Sequence, residues 1–103
     1  MEPKFTQKVY KITNQIPKGK VATYKQIATL AGSPGASRAV GMCMKMNPNA
    51  PHTPCHSVVA SDGALYGYSG NGGIIKKKKM LKDEGVAFVD KTTVDLLTSQ
   101  WKP

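Results

Sequence analysis

The sequence predicts a single, mostly α-helical domain with one small β-hairpin. The chain has 103 residues, of which 40% are hydrophobic, so it has room for one core of modest size. Helical spacing or helix-capping residues mark four segments, whereas only residues 58–65 carry the pattern of two short strands joined by a turn. No internal repeat and no second domain are apparent, which predicts one domain over residues 1–103.

The first predicted helix runs from Phe5 to Gln15. Its apolar residues recur at the spacing of one helix face, and the segment 17–20 (Pro-Lys-Gly-Lys) then breaks the helix and turns the chain. The residues of this face are Phe5, Val9, Ile12 and Ile16.

Two further helices are predicted in quick succession. Thr23 and Gln26 form the pattern of a capping box, which predicts a helix that begins here and ends at Gly32. The pair Ser33-Pro34 is typical of an N-cap with a first-turn proline, which predicts a third helix that ends near Met46. Two short helices joined by a tight turn favour a helix-turn-helix, although many helical hairpins of this kind never touch DNA.

The start of the third helix favours contact with a phosphate backbone. Residues 35–38 are Gly, Ala, Ser and Arg, three small residues followed by a cation. Small side chains let a helix N-terminus approach a phosphate closely, and the helix dipole favours the anion there.

The second half of the chain predicts the hairpin, a last helix and a tail. Val58-Val59, a turn at 61–63 and Ala64-Leu65 form the hairpin. The last helix runs from Ile74 to Glu84 and ends at Gly85. Four apolar residues of the tail are expected to dock on the domain: Val94, Leu96, Leu97 and Trp101.

Net charge indicates the class of partner. Fifteen basic and six acidic residues give a formal charge of +9 and a pI near 9.7. A small domain this basic usually meets a polyanion, although a solubilising surface is the alternative. No apolar run is long enough to span a membrane. Because the sequence shows no export signal, we expect both cysteines to be reduced and the protein to lie in the cytoplasm or the nucleus.

The segment 54–59, Pro-Cys-His-Ser-Val-Val, is the candidate for chemistry. A cysteine attacks well only as its thiolate, so a base must take the proton, and His56 follows Cys55 directly. Adjacent residues of a strand point to opposite faces, so the pair needs a turn or a bridging water. A carboxylate should orient the imidazole, and spacing leaves Glu84 and Asp83 both open.

Other readings of the same residue types are structural. The methionines at 42, 44 and 46 fit helix packing, and Cys43 fits an inert core residue. A zinc site from Cys43, His52, Cys55 and His56 fits no usual ligand spacing, so no metal is expected. The lysines at 76–79 divide between a solvated face and phosphate contact.

Five segments in one order resemble the C-terminal DNA-binding and active-site domain of the O6-alkylguanine-DNA alkyltransferases. They are 16–24 (IPKGKVATY), 38–41 (RAVG), 47–48 (NP), 54–56 (PCH) and 68–70 (YSG), and the likeness covers about residues 5 to 86. The resemblance implies a winged helix-turn-helix fold and a single-turnover reaction, in which an alkyl group moves from guanine O6 to the protein's own cysteine. It implies no cofactor. The implied partner is the minor groove of double-stranded DNA that carries an alkylated guanine, bound by a monomer.

The resemblance also implies residue roles. Cys55 corresponds to the alkyl acceptor, His56 to the water-linked base, Glu84 to the acid that orients it and Asn47 to the hinge asparagine. Arg38 corresponds to the finger that fills the vacated base stack, with Ala36, Ser37 and Lys45 also on the DNA side. The implied base-binding residues are Tyr24, Met44, Val58, Tyr68, Ser69 and Gly70.

The chain departs from the family pattern, and a second function stays open. Ser57 stands where an arginine is usual, Ala50 stands where a pocket proline is common, and the loop before the last helix looks two residues longer. The N-terminal domain of many members is missing from this sequence. Alkyltransferase-like proteins share the domain and flag lesions without repairing them, but typically lack the cysteine that is present here at position 55. A generic winged-helix regulator, the third reading, leaves the Cys-His pair unexplained.

Overall fold

The computed structural model describes residues 3–46, 53–65 and 73–103. The described chain contains five α-helices and four short strands, and the predicted class, mostly α with a small β-hairpin, is confirmed. The elements are α1 (Pro3–Thr13), β1 (Ala22–Thr23), α2 (Tyr24–Leu30), α3 (Ser37–Lys45), a 3₁₀ turn (Cys55–Ser57), β2 (Val58–Val59), α4 (Gly73–Asp83), β3 (Phe88–Asp90), β4 (Thr93–Val94) and α5 (Leu96–Ser99).

Helix α1 presents the predicted apolar face to the core. Val9 and Ile16 are buried, and Phe5 and Ile12 pack partly buried against the same cluster. The predicted end at Gln15 is wrong, because α1 ends at Thr13 and Ile16 is reached by a turn. The cause is Pro17, since the residue before a proline is disfavoured in helical conformation and helices end ahead of it.

The capping box at the start of α2 is confirmed. The Gln26 amide donates to the Thr23 hydroxyl at 3.0 Å, and the Thr23 amide donates to the Gln26 side chain at 3.3 Å. The chain leaves the helix at Gly32, whose φ of +87° suits glycine.

The predicted N-cap of the third helix at Ser33 is wrong. Helix α3 begins at Ser37, and its N-cap Ala36 makes no side-chain capping bond. The Ala36 amide instead donates to the Ser33 carbonyl at 2.9 Å, which closes a turn over Pro34 and Gly35. Proline favours the second position of such a turn as strongly as it favours the first turn of a helix, so the sequence signal was shared by both structures.

The hairpin lies elsewhere than predicted. Strand β2 pairs in parallel with β1, with Ala22 opposite Val58 and Thr23 opposite Val59. A turn does follow β2, since the Ala60 amide donates to the Ala64 carbonyl at 3.0 Å, but the antiparallel pair is β3 with β4. Val58 and Val59 are fully buried, as expected of a strand with neighbours on both faces.

The tail is hydrogen-bonded to Val21, the residue before β1. The Trp101 amide donates to the Val21 carbonyl at 2.7 Å, and the Val21 amide donates to the Ser99 carbonyl at 2.9 Å. Val94, Leu96 and Trp101 pack on the domain as predicted, but Leu97 is 96% exposed. Helix α5 is a single turn whose inner face is formed by Leu96 and Ser99, so Leu97 lies on its outer face.

Candidate functional site

Cys55 and His56 lie on a tight turn rather than on a strand. The Cys55 amide donates to the Thr53 carbonyl at 2.8 Å, and the Ser57 amide donates to the Pro54 carbonyl at 2.9 Å. Pro54, with φ of −80°, leads the chain into this turn. We call residues Cys55–Ser57 the cysteine turn. On a turn, unlike on a strand, the side chains of Cys55 and His56 need not point in opposite directions.

The carboxylate that contacts His56 is Glu84. His56 Nε2 lies 2.8 Å from Glu84 Oε2, and the two side chains are 4% and 14% exposed. Asp83, the alternative that spacing left open, instead pairs with Lys79 at 3.6 Å on the surface. The structure therefore brings Cys55, His56 and Glu84 together and leaves Asp83 outside.

The contact with Glu84 sets the chemistry of the imidazole. A carboxylate only accepts hydrogen bonds, so Nε2 carries the proton of the neutral ring and Nδ1 is its basic nitrogen. Within the described residues, Nδ1 is buried without a hydrogen-bond partner. Cys55 is itself buried, at 4% exposed, one residue away. The buried thiol and the buried basic nitrogen thus belong to consecutive residues of the cysteine turn.

A glycine turn holds Glu84 in place. Gly19 has a φ of +87°, and a Cβ there would lie 3.0 Å from the carbonyl oxygen of Glu84. Only glycine gives both the backbone conformation and the close approach. The turn after α1 is therefore packed directly on the residue that contacts His56.

Lys77 is the lysine of the 76–79 run that faces the site. It is 1% exposed, and its Nζ donates to the Val58 carbonyl at 2.7 Å. Burial lowers the pKa of Lys77 to about 8, while the nearby charge of Cys55 acts in the opposite direction. Sequence reasoning left the choice among the four lysines open. The signal was available, because only Lys77 lies four and seven residues before Leu81 and Glu84 and so shares their helix face.

The base-binding residues implied by the resemblance collect around Cys55 where they are described. Met44 and Val58 belong to the same buried core cluster as Cys55, and Tyr24 packs partly buried against that cluster. Burial raises the pKa of Tyr24, and the nearby Cys55 charge raises it further, so the phenol keeps its proton and can donate a hydrogen bond. Four further residues of the predicted site, Asn47, Tyr68, Ser69 and Gly70, lie outside the described residues, as do Ala50 and His52.

The residues predicted to contact DNA lie on and just before α3. Arg38 and Lys45 are exposed, and Ala36 and Ser37 are half-buried at its N-terminal end. The expected packing of the methionines is wrong for Met42 and Met46, which are 49% and 66% exposed, and right for the buried Met44. Met42 and Met46 follow Arg38 at intervals of four residues, so they continue its exposed helix face.

The second cysteine lies on helix α3, outside the cysteine turn. Cys43 is buried in α3, and burial raises the pKa of its thiol above the ordinary value. That environment agrees with the inert role expected for it.

Charge is distributed unevenly between the two halves of the chain. Residues 3–46, which hold α1, α2 and α3, contain eight basic residues and no aspartate or glutamate. The described acids all lie at 62–95, so residues 3–46, which include Arg38 on α3, carry most of the net positive charge. Within the described ranges, no helix is long and apolar enough to cross a membrane, and no three His, Cys, Asp or Glu side chains cluster as metal ligands would.

Comparison with known proteins identifies the family. The family described as "6-O-methylguanine DNA methyltransferase, DNA binding domain" matches residues 4–86. The chain belongs to this family. Its fold is accordingly that of the winged helix-turn-helix DNA-binding domain that the resemblance implied.

Individual relatives divide into two kinds. The methylated-DNA–protein-cysteine methyltransferase of Mus musculus is 41% identical over 99 residues, which cover 94% of this chain and 46% of that protein. The crystal structure of the Mycobacterium tuberculosis O6-methylguanine methyltransferase matches with a TM-score of 0.73 at 41% identity, covering 87% of this chain and 54% of that one. The chain thus spans about half the length of the methyltransferases it matches.

A third relative matches along its whole length. The structure of S. pombe Atl1 in complex with damaged DNA containing O6-carboxymethylguanine has a TM-score of 0.88 at 34% identity. It covers 100% of this chain and 99% of that one. The tail at 87–103, which the family match does not include, therefore has a counterpart in that structure.

Proposed function

We propose that this chain repairs O6-alkylguanine in double-stranded DNA by moving the alkyl group onto Cys55. The observation that carries the proposal is the 2.8 Å contact between His56 and Glu84 at the turn that holds the thiol. Nucleophilic catalysis by a cysteine needs a base that takes the thiol proton and an acid that orients the base.

The alkyl group moves to the sulfur in a single displacement at the alkyl carbon, after Cys55 has lost its proton. The thiol proton of Cys55 passes to Nδ1 of His56, through a bridging water, and the imidazolium is stabilised by Glu84. The thiolate then forms a sulfur–carbon bond as the bond between carbon and guanine O6 breaks. The electron pair of that bond goes to the base, which takes up the proton and leaves as guanine, while the Tyr24 hydroxyl donates a hydrogen bond to it. The protein is alkylated irreversibly and needs no cofactor.

The damaged base must first leave the duplex. A thiol at 4% exposure cannot reach a stacked guanine, and swinging a base out costs about a few kcal/mol. Arg38, exposed on α3 in the acid-free half of the chain, is the proposed plug for the vacated stack. Its neighbours Ala36 and Ser37 let the helix approach the minor groove, and Lys45 contacts phosphate. Such binding should weaken steeply as salt is added.

A second candidate function is lesion binding without transfer. The match to S. pombe Atl1, whose structure is a complex with damaged DNA containing O6-carboxymethylguanine, favours it, because that structure has a counterpart of the tail at 87–103, which lies beyond the family match. Cys55 favours transfer, since it stands beside a base that already has its orienting acid.

A conversion assay separates the two functions. Excess protein is mixed with a duplex that contains one O6-methylguanine, and the digested nucleosides are then separated by chromatography. Repair predicts conversion of the lesion to guanine, and Cys55→Ser should bind the duplex but convert nothing. Tight, lesion-selective binding by the parent chain with the lesion left intact would establish the sensor instead.

A further inference from the structure

The exposed face of helix α3 carries a row of methionines beside the single arginine of the chain. Arg38, Met42 and Met46 follow one another at intervals of four residues, which places them in one row along the helix. Met42 is 49% exposed and Met46 is 66% exposed. Two long apolar side chains therefore lie in solvent, on the face where a surface helix ordinarily has polar residues.

A glycine on the same face is not required by the packing of the protein itself. Gly41 lies in the middle of α3, three residues after Arg38 and directly before Met42. Apart from its neighbours in the helix, no described atom lies within 4 Å of the place where a Cβ at Gly41 would stand. Alanine would favour the helix there, because glycine loses more conformational freedom on folding. The missing side chain leaves a hollow that suits a surface approaching from outside.

Charge indicates that this surface is DNA. Residues 3–46 contain eight basic residues and no aspartate or glutamate, and Lys45 is exposed next to Met46. Helix α3 contains no Asn, Gln, Asp or Glu, which together with arginine and lysine read base edges in the major groove. Apolar side chains are what proteins insert into a minor groove, where they press base steps apart. The composition of this face therefore favours the minor groove.

We propose that Met42 and Met46 form an apolar ridge that enters the minor groove beside Arg38 and makes binding depend on how readily that groove widens. The inference deepens the proposed function and rests on it for the placement of α3 on DNA. Two methionines need more room than small residues would, so the groove must open where the ridge enters. Stiff sequences with a narrow groove resist this opening, whereas flexible steps permit it. The chain would then select its sites by the deformability of the DNA rather than by contacts to base edges.

Arg38 alone would give the opposite preference. A run of adenines has a narrow minor groove with an enhanced negative potential, which attracts an inserted arginine. The same run is stiff and leaves least room for the ridge. The sign of the preference between stiff and flexible DNA thus shows which of the two contacts decides it.

The test compares two duplexes that each contain one O6-methylguanine. They have the same length and the same A·T content, but one has runs of adenine on either side of the lesion and the other has alternating TA steps. Binding is measured by fluorescence anisotropy with Cys55→Ser, so that no transfer alters the DNA. The ridge predicts binding to the TA-step duplex that is about threefold or more tighter than binding to the adenine-run duplex. Equal affinities, or tighter binding to the adenine runs, would refute the proposal.

Removal of the ridge should remove the preference. Met42→Ala and Met46→Ala together, in the Cys55→Ser chain, should bind the adenine-run duplex at least as well as the TA-step duplex. Both substitutions lie on an exposed helix face and introduce a good helix former, so the fold should be retained. Leu97→Ala shortens an apolar side chain that is 96% exposed outside α3, and it should leave both affinities unchanged. A preference that survives the loss of both methionines would overturn the assignment.

The salt dependence separates the ridge from the phosphate contacts. Lys45→Ala should weaken binding to both duplexes alike and reduce the slope of log affinity against log salt by about one. The methionine variant should keep the slope of the Cys55→Ser chain, because it loses no charge. A second copy of the chain is the other surface that the ridge could cover. A dimer of the free protein in sedimentation, abolished in the methionine variant, would contradict the proposal.

Failure of the inference and failure of the proposed function are distinguishable. A preference for flexible DNA that depends on Met42 and Met46, in a protein without alkyl transfer, would contradict only the proposed function. Transfer by a protein whose binding ignores the flexibility of the DNA would contradict only the inference.

Discussion

Replacing Lys77 by methionine should remove a pH dependence from the free energy of unfolding. The pKa of Lys77 is about 8 in the folded chain, below the ordinary lysine value of 10.5. Between these two values the unfolded chain binds more protons than the folded chain, so the free energy of unfolding of the parent rises with pH across that window. Methionine has no proton to release, and the variant lacks the rise.

The magnitude follows from the size of the pKa change. A fall from 10.5 to about 8 corresponds to about 3 kcal/mol, at about 1.4 kcal/mol per pH unit. The lost hydrogen bond to Val58 costs about 1 kcal/mol at every pH and does not alter the slope. The raised pKa values of Tyr10, Tyr24 and Cys43 make the free energy of unfolding fall as pH rises, because these groups ionise more readily in the unfolded chain. Both proteins contain these groups, so their effect cancels when the variant is compared with the parent.

The assay is urea unfolding at a series of pH values, followed by the fluorescence of Trp101, the single tryptophan. The stability of Lys77→Met relative to the parent should fall by about 3 kcal/mol from neutral pH to about pH 10.5. Lys76 is exposed on the same helix, so the stability of Lys76→Met should vary with pH in parallel with that of the parent. Parallel curves for Lys77→Met and the parent would refute the assignment of a buried, charged lysine.

Three further predictions concern the site and the DNA. Glu84→Gln should slow transfer about tenfold to a hundredfold, because the bond to His56 loses its charge, whereas Asp83→Asn should have little effect. Gly19→Ala and Gly32→Ala should each lower the free energy of unfolding by about 1–2 kcal/mol, because both residues have a φ of +87°, which strains alanine. Only Gly19→Ala should also slow transfer, because its Cβ would press on the Glu84 carbonyl. Arg38→Ala should weaken repair in a duplex by about tenfold or more and leave reaction with the free modified base nearly unchanged, since only the duplex needs a plug.

These predictions are checked by single-turnover transfer rates, by urea unfolding and by parallel assays on duplex and free base. Equal losses for Glu84→Gln and Asp83→Asn would show that the His56 contact does not matter for transfer. The same transfer rate in the two glycine variants would remove the role given to the Gly19 turn. Equal losses of Arg38→Ala on both substrates would mean that Arg38 acts in the pocket rather than in the DNA stack.

The predictions from sequence held where a local signal has one structural meaning. The capping box of Thr23 and Gln26 fixes the start of α2, because few other structures use both bonds. The glycine at position 85 ends α4 with a φ of +89°. By contrast, Ser33-Pro34 suits a β-turn and a helix start equally. In the structure it forms a turn, which is closed by the hydrogen bond from the Ala36 amide to the Ser33 carbonyl.

Long-range pairing was the part that local reasoning could not supply. Val58 and Val59 pair with residues 22 and 23 across more than thirty positions, and nothing in the local pattern distinguishes this from a hairpin. The choice between Asp83 and Glu84 depends likewise on where α4 meets the cysteine turn. Lys77 could have been found from its spacing to Glu84, but only once Glu84 had been selected.

Intact mass of the protein after reaction tests the central claim most directly. The chain is incubated with a slight excess of duplex that contains one O6-methylguanine, and its mass is then measured and the modified peptide sequenced. We expect a gain of a single methyl group per chain, carried by Cys55 and never by Cys43. Unaltered mass after saturating, lesion-selective binding would contradict it.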